Sequence, residues 1–164
     1  MRAFLRRSAV WLTLLPVLAL MTVIFCLSAQ PATQSDRTSG GIVSRVIELL
    51  FPGFAELEPA QQRTLEKAVT RVVRKTAHFA EYAALGGALL GHLQARSLRR
   101  PLRRKELGAF ALGTLYAASD ELHQLFVPGR SGELRDVLLD ALGVAAGVWL
   151  LWRLTGGRKK PNKG

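Results

Sequence analysis

Side chains capable of chemistry gather in three short stretches of this 164-residue chain. They are RKTAHFAEY from Arg74 to Tyr82, SDELHQ from Ser119 to Gln124, and RDVLLDALG from Arg135 to Gly143. Arg130 stands in the FVPGRSG stretch between the last two. Imidazole, carboxylate and guanidinium groups together can hold an anion through charge-assisted hydrogen bonds. They can also pass a proton as general acid and base, or ligate a divalent metal. Spacing sharpens the pattern. Arg74, His78, Glu81 and Tyr82 share one broad helical face, with Lys75 beside them. Asp120 and Gln124 lie one turn apart, with Glu121 and His123 between them, and Asp136 and Asp140 repeat that interval. All of these except His123, together with Arg130, are the expected lining of a ligand site. For catalysis the candidates are His78 or Glu81 as general base, with Asp120 or Asp140 as partner.

Each candidate also has a plainer role. Asp136 suits the first turn of a helix, where an acid opposes the positive end of the dipole. His78 can donate to Glu81 or to a backbone carbonyl. Tyr82, Trp149 and Trp152 suit packing or interfacial positions. Asp140 is the hardest to explain structurally, because it lies deepest in an apolar stretch. No HExxH, CxxC or GxSxG pattern is present, so no cofactor and no resident metal is called for. DELH at Asp120–His123 resembles a helicase box, but no glycine-rich phosphate loop accompanies it.

The elements that must position these groups are apolar. Val10 to Leu27 is eighteen residues without a charge, about the length that crosses the hydrocarbon core. It is long for a signal peptide, and a retained helix is the preferred reading. Three more apolar segments cover about 76–93, 107–126 and 137–154. The expected fold is an all-α membrane protein with four transmembrane helices and both termini cytoplasmic, in one domain. The first extracytoplasmic loop, 28–75, holds SAQPATQSDRTSGG, expected to be irregular. It then holds one or two short amphipathic helices, one over Ile42–Phe51 and one from Pro59 with Leu65, Val69, Val72 and Val73 on its apolar face. Cys26 is expected to be a small buried hydrophobe.

A net charge of +11 invites a nucleic-acid partner, but its distribution argues against one. Fourteen basic residues fall at the N-terminus, in the loop 96–105 and in the tail 155–164 with the adjoining Arg153, and one acid, Glu106, adjoins the loop. The remainder holds nine basic and eleven acidic residues. Four crossings place the basic segments together on the cytoplasmic side, which is the positive-inside pattern. The same topology brings all three polar stretches to the opposite rim at one depth. Membrane lipids are the expected partners, the basic patches favouring anionic headgroups. Two GxxxG pairs, Gly87–Gly91 and Gly143–Gly147, are expected to let helices approach closely inside the protein. They do not specify an oligomeric state.

The stretches RKTAHFAEYAALG at 74–86 and DELHQLFVPGRSGELRDVLLDALGVAAG at 120–147, with LSAQP after the first apolar run, resemble the VanZ-like family of small bacterial membrane proteins. The resemblance spans about Val10 to Trp152. It implies a multi-pass protein of the bacterial cytoplasmic (inner) membrane. Its signature residues fall on Lys75, His78, Phe79, Glu81, Tyr82, Asp120, Glu121, Gln124, Arg130, Asp136, Asp140 and Gly143. Asp140 stands where relatives often carry Asn, which adds an ionisable group. The resemblance also implies a link to low-level resistance to the glycopeptide teicoplanin, or to modification of the cell envelope. Three mechanisms stay open at this point. The cluster can bind a lipid headgroup, a lipid-linked envelope precursor or a lipoglycopeptide. It can be the active site of a membrane-embedded enzyme on a lipid-linked substrate. Or it can be a purely structural polar network. A transporter fits less well, because the cytoplasmic halves of the helices offer no continuing polar path.

Overall fold

The computed structural model describes residues 2–97 and 104–155, so most of the basic loop 96–105 and of the tail 155–164 lies outside the described residues. Within them the regular elements are helices: α1 Arg2–Ser28, α2 Ala32–Leu50, α3 Pro59–Ser97, α4 Lys105–Gln124 and α5 Leu134–Leu154. A 3-10 turn at Phe54–Glu56 joins α2 to α3. Among the described residues two helices are long and apolar enough to cross a membrane, α1 over Trp11–Ser28 and α5 over Leu134–Leu154. The other two expected spans fall within α3 and α4. They carry His78, Glu81 and His92, and Asp120, Glu121 and His123, which lower their hydropathy.

The outward faces agree with a lipid environment. Trp11, Leu15, Val23 and Phe25 of α1 are exposed, as are Leu115, Leu122 and Phe126 beside α4 and Leu142, Trp149 and Leu150 of α5. An apolar surface this extensive requires a cover other than water. The interior is correspondingly lined by Val17, Ile24, Tyr82, Leu85, Leu90 and Val144.

Three expectations are corrected. The stretch after α1 is not irregular: α2 begins at Ala32, directly after Pro31. Its hydroxyls fold back on its own turns, Thr38 onto the Gln34 carbonyl, Ser39 onto Ser35 and Ser44 onto Gly40. The helix is further held by Val43 and Ile47 packing against Val69 of α3. Tertiary contact thus outweighs the weak helix propensity of the segment. Second, the amphipathic helix from Pro59 and the expected span 76–93 are one continuous helix of 39 residues. At ~1.5 Å per residue it is ~58 Å long, so its N-terminal part stands well beyond the apolar bundle. Val72 lies on the outer side of that part rather than in its core. Third, Cys26 is exposed on α1, not buried.

Small residues hold α3 and α5 together. A Cβ on Gly147 would overlap the Ala83 carbonyl, and one on Gly143 would lie 2.5 Å from the Phe79 carbonyl oxygen. On α3 the critical glycine is Gly86, pressed against the Val144 backbone, whereas Gly87 and Gly91 meet their neighbours only at 3.6 Å. The close contact expected of the Gly87–Gly91 pair therefore falls one residue earlier, on Gly86. A helix face turns about 100° per residue, and it is the 86 position that points at α5.

Candidate functional site

The polar stretches converge around a cavity of about 840 Å³. Its walls are α2, the outer part of α3, the first turns of α5 and the connection between α4 and α5. The α2–α3 hairpin is zipped by Val43 and Ile47 against Val69, with Leu65, Val73 and Phe54 packed at the margin. It is anchored at its base, where the Ala32 amide donates to the Pro128 carbonyl at 3.2 Å. Gly129 makes that approach possible. It adopts φ +76°, a left-handed conformation that disfavours other residues, and a Cβ there would lie 3.1 Å from that of Ala32.

The cluster expected to form one site divides into two parts. The first is a latch between α1, α4 and the following turn. Ser28 donates to Asp120 Oδ2 at 2.8 Å, and Gln124 Nε2 donates to the same oxygen at 3.2 Å. Arg130 then spans the junction. Its Nε donates to the Gln30 carbonyl at 3.0 Å, Nη2 to the Leu27 carbonyl at 3.1 Å, and Nη1 to Gln124 Oε1 at 3.2 Å. The two carbonyls lie at the end of α1, where helical partners run out. Burial, with Arg74 nearby, lowers the Arg130 pKa from its ordinary value, yet an arginine so placed stays charged. Arg130 turns back over the cluster as a fork that closes the fold. Glu121 serves the neighbouring joint: its Oε1 accepts from the Glu133 amide at 2.6 Å, at the start of α5.

The second part faces the cavity. Lys75 of α3 pairs with Asp136 of α5. Asp136 is in the first turn of α5, but the residue preceding the helix is Glu133 and no side chain caps it. One turn further in, His78 Nδ1 lies 3.8 Å from Asp140 Oδ2. His78 therefore faces Asp140, rather than donating to Glu81. Arg74 reaches Asp36 of α2 at 3.7 Å. Above them Arg63, Lys67 and Arg71 continue the same face of α3 along the cavity wall, and Arg135 opposes them from α5.

Eight of the eleven residues expected at a ligand site line this cavity: Arg74, Lys75, His78, Glu121, Gln124, Arg130, Asp136 and Asp140. Glu81, Tyr82 and Asp120 do not. Tyr82 is fully buried, and its hydroxyl has no partner within hydrogen-bond distance although Asp120 is a near neighbour. Asp120 Oδ1 and both Asp140 oxygens have no hydrogen-bond partner, although His78 stands 3.8 Å from Asp140 Oδ2. His123 points away from the cluster and stacks on Phe25 at 4.8 Å. Among the described residues no three His, Cys, Asp or Glu side chains converge as a metal site would require.

Sequence reasoning missed Asp36, Ser28 and Gln30, and it missed the outer cations of α3 as cavity residues. Ser28 and Gln30 did carry a signal, since both belong to the LSAQP stretch that resembles the family. Asp36 did not, because its role depends on α2 being helical.

A family model described as VanZ/LLP1 matches residues 13–155, nearly the whole chain. No curated protein and no solved structure matches it. The family assignment and the two long apolar helices together point to a membrane protein. The matched region contains the α1–α4 latch, the Lys75–Asp136 and His78–Asp140 pairs and the small-residue contact of α3 with α5, and on that match this chain belongs to the VanZ/LLP1 family.

Proposed function

We propose that the protein binds the phosphate-bearing headgroup of a membrane-resident amphiphile at the outer rim of the bacterial cytoplasmic membrane. In this reading α1, the inner part of α3, α4 and α5 are four crossings, and both termini are cytoplasmic. The charge distribution supports that topology, because it gathers the basic segments on one side. The cavity then opens where headgroups lie, flanked by the exposed apolar surfaces of the helices. The observation that carries the reading is the row Arg63, Lys67, Arg71, Arg74 and Lys75 along one wall of the 840 Å³ cavity. Repeated cations at i, i+4 spacing hold an extended anionic group, and arginine adds fork-like contacts to phosphate. Sequestering or presenting a lipid or lipid-linked envelope precursor would alter what reaches the cell surface. That is one route to the teicoplanin-resistance phenotype implied by the family resemblance.

The test is binding by purified full-length protein in non-ionic detergent. Arg63, Lys67 and Arg71 make no ion pair among the described residues, so they can be changed without leaving a buried partner. Native mass spectrometry should find bound phospholipid on the wild type and several-fold less on the double variant Lys67→Gln, Arg71→Gln. Equal occupancy in both proteins would reject the reading. Arg130→Ala is not a suitable probe, because Arg130 holds the end of α1.

One observation favours a second reading, an enzyme acting on a lipid-linked substrate. His78 Nδ1 stands 3.8 Å from Asp140 Oδ2 on the cavity wall, beyond hydrogen-bond distance but placed so that a small approach would make an oriented general base. In that case His78→Gln would abolish a change in envelope lipids seen in cells making the wild type, while leaving lipid binding intact. Loss of binding alone favours the first reading.

A further inference from the structure

Headgroup binding, on which this inference rests, accounts for the outer part of the cavity but not for its floor. Asp140 lines the cavity and is 1 % exposed, and neither of its carboxylate oxygens has a hydrogen-bond partner. His78 Nδ1 at 3.8 Å is too far to serve as one. A buried carboxylate left in this condition is costly unless a donor or a cation reaches it. The nearby lysine and arginines are engaged elsewhere, Lys75 on Asp136, Arg74 on Asp36, and Arg130 on two carbonyls and Gln124, which leaves the His78 imidazole, 3.8 Å from Oδ2, beside Asp140. The α3 wall of the cavity is thus rich in cations, with Glu66 among them and Asp36 and Asp136 paired to two of them, and the buried end carries the Asp140 carboxylate.

A phosphate alone would satisfy the wall and be repelled by the floor. We infer that the cavity recognises a phosphate and a primary ammonium joined by a short linker, the chemistry of a phosphoethanolamine headgroup. The ammonium fits the floor. It carries one positive charge and three donors, enough to serve both Asp140 oxygens and still reach a third acceptor. The spacing fits as well. Arg74 and Lys75 lie one turn outward of His78 on α3, a rise of ~5.4 Å, which a two-carbon bridge between phosphate and nitrogen covers. A trimethylated ammonium would carry the charge with no donor. A glycerol headgroup would bring donors with no charge.

The experiment is a competition on purified full-length protein in non-ionic detergent. Equimolar phosphatidylethanolamine, phosphatidylglycerol and phosphatidylcholine of distinguishable mass are offered together, and bound lipid is read by native mass spectrometry. The wild type should prefer phosphatidylethanolamine over each of the others by about tenfold, the worth of one charge-assisted contact. Asp140→Asn should erase that preference, so that bound phosphatidylethanolamine falls about tenfold relative to the other two lipids. Equal occupancy by the three lipids would overturn amine recognition and leave headgroup binding standing. No bound phospholipid at all would overturn both. If Asp140→Asn does not fold, the ethanolamine-against-choline ratio on the wild type decides the matter alone. A separate arm adds soluble phosphoethanolamine or inorganic phosphate to the lipid-loaded protein. Displacement by phosphoethanolamine but not by phosphate supports the inference and identifies a water-borne source for the same chemistry. Equal displacement by both counts against it.

Discussion

Arg130→Ala should uncouple α1 from the α4–α5 connection. The guanidinium donates three hydrogen bonds, to the Leu27 and Gln30 carbonyls and to Gln124. A hydrogen bond from a charged donor contributes about 1.5–3 kcal/mol when fully buried. Arg130 is only partly buried and its three bonds are not independent, so about 3 kcal/mol in total is the reasonable expectation. For a protein of this size that corresponds to a fall in melting temperature of about 6–12 °C. Thermal unfolding of the purified protein in detergent, followed by tryptophan fluorescence, measures it. Arg130→Lys keeps the charge but cannot fork to three acceptors, and should recover no more than about half of the loss. A melting temperature for Arg130→Ala within about 1 °C of the wild type would refute the latch.

Two further perturbations probe the helix contacts. Gly147→Val would drive a side chain into the Ala83 backbone of α3, and should cost about 1–3 kcal/mol, read as reduced yield and a lower melting temperature. Lys75→Asp places two acids together at the α3–α5 contact, and adding Asp136→Lys to it should restore most of the lost stability, about 1 kcal/mol for a pair this exposed. A double variant no more stable than its worse single parent would show that the pair does not form.

The fold was readable where one residue pattern answers one physical demand. Long apolar runs set α4, α5 and the end of α1 to within a few residues, because burial and lipid contact both select them, whereas α1 begins at Arg2, eight residues before its apolar run. The periodic valines of the outer α3 helix were legible for the same reason, except Val72, which periodicity alone could not separate from its neighbour Val73. The N-terminal part of α2 was not legible. Its serines, threonines and glycines read as loop by propensity, and only packing of Val43 and Ile47 on α3 makes them helical. Nor was the continuity of α3 visible, since neither capping residues nor prolines mark whether two adjoining helical segments bend or run straight. Within the site, helical spacing grouped the residues of each stretch. It could not tell Asp120, tied to Ser28 and Gln124, from Asp140, which lines the cavity beside His78 and whose buried oxygens have no hydrogen bond. That distinction depends on partners from α1, distant in sequence. The cations of α3 at positions 63, 67 and 71 lie off the apolar face of an amphipathic helix, a pattern that solvent alone explains, and they line a cavity because α2 and α5 close around them.

The central claim is that one cavity, formed by α2, α3 and α5, opens at the outer face of the membrane and takes a lipid headgroup. Ser131 lines it and is exposed, and Cys26, the lone cysteine, can be removed. The direct measurement is labelling of Ser131→Cys on a Cys26→Ala background in intact cells with a membrane-impermeant maleimide, with and without added short-chain phospholipid. Labelling of intact cells that slows when the phospholipid is present is the predicted result. Labelling only after the membrane is broken open, or at a rate indifferent to the phospholipid, would contradict the claim.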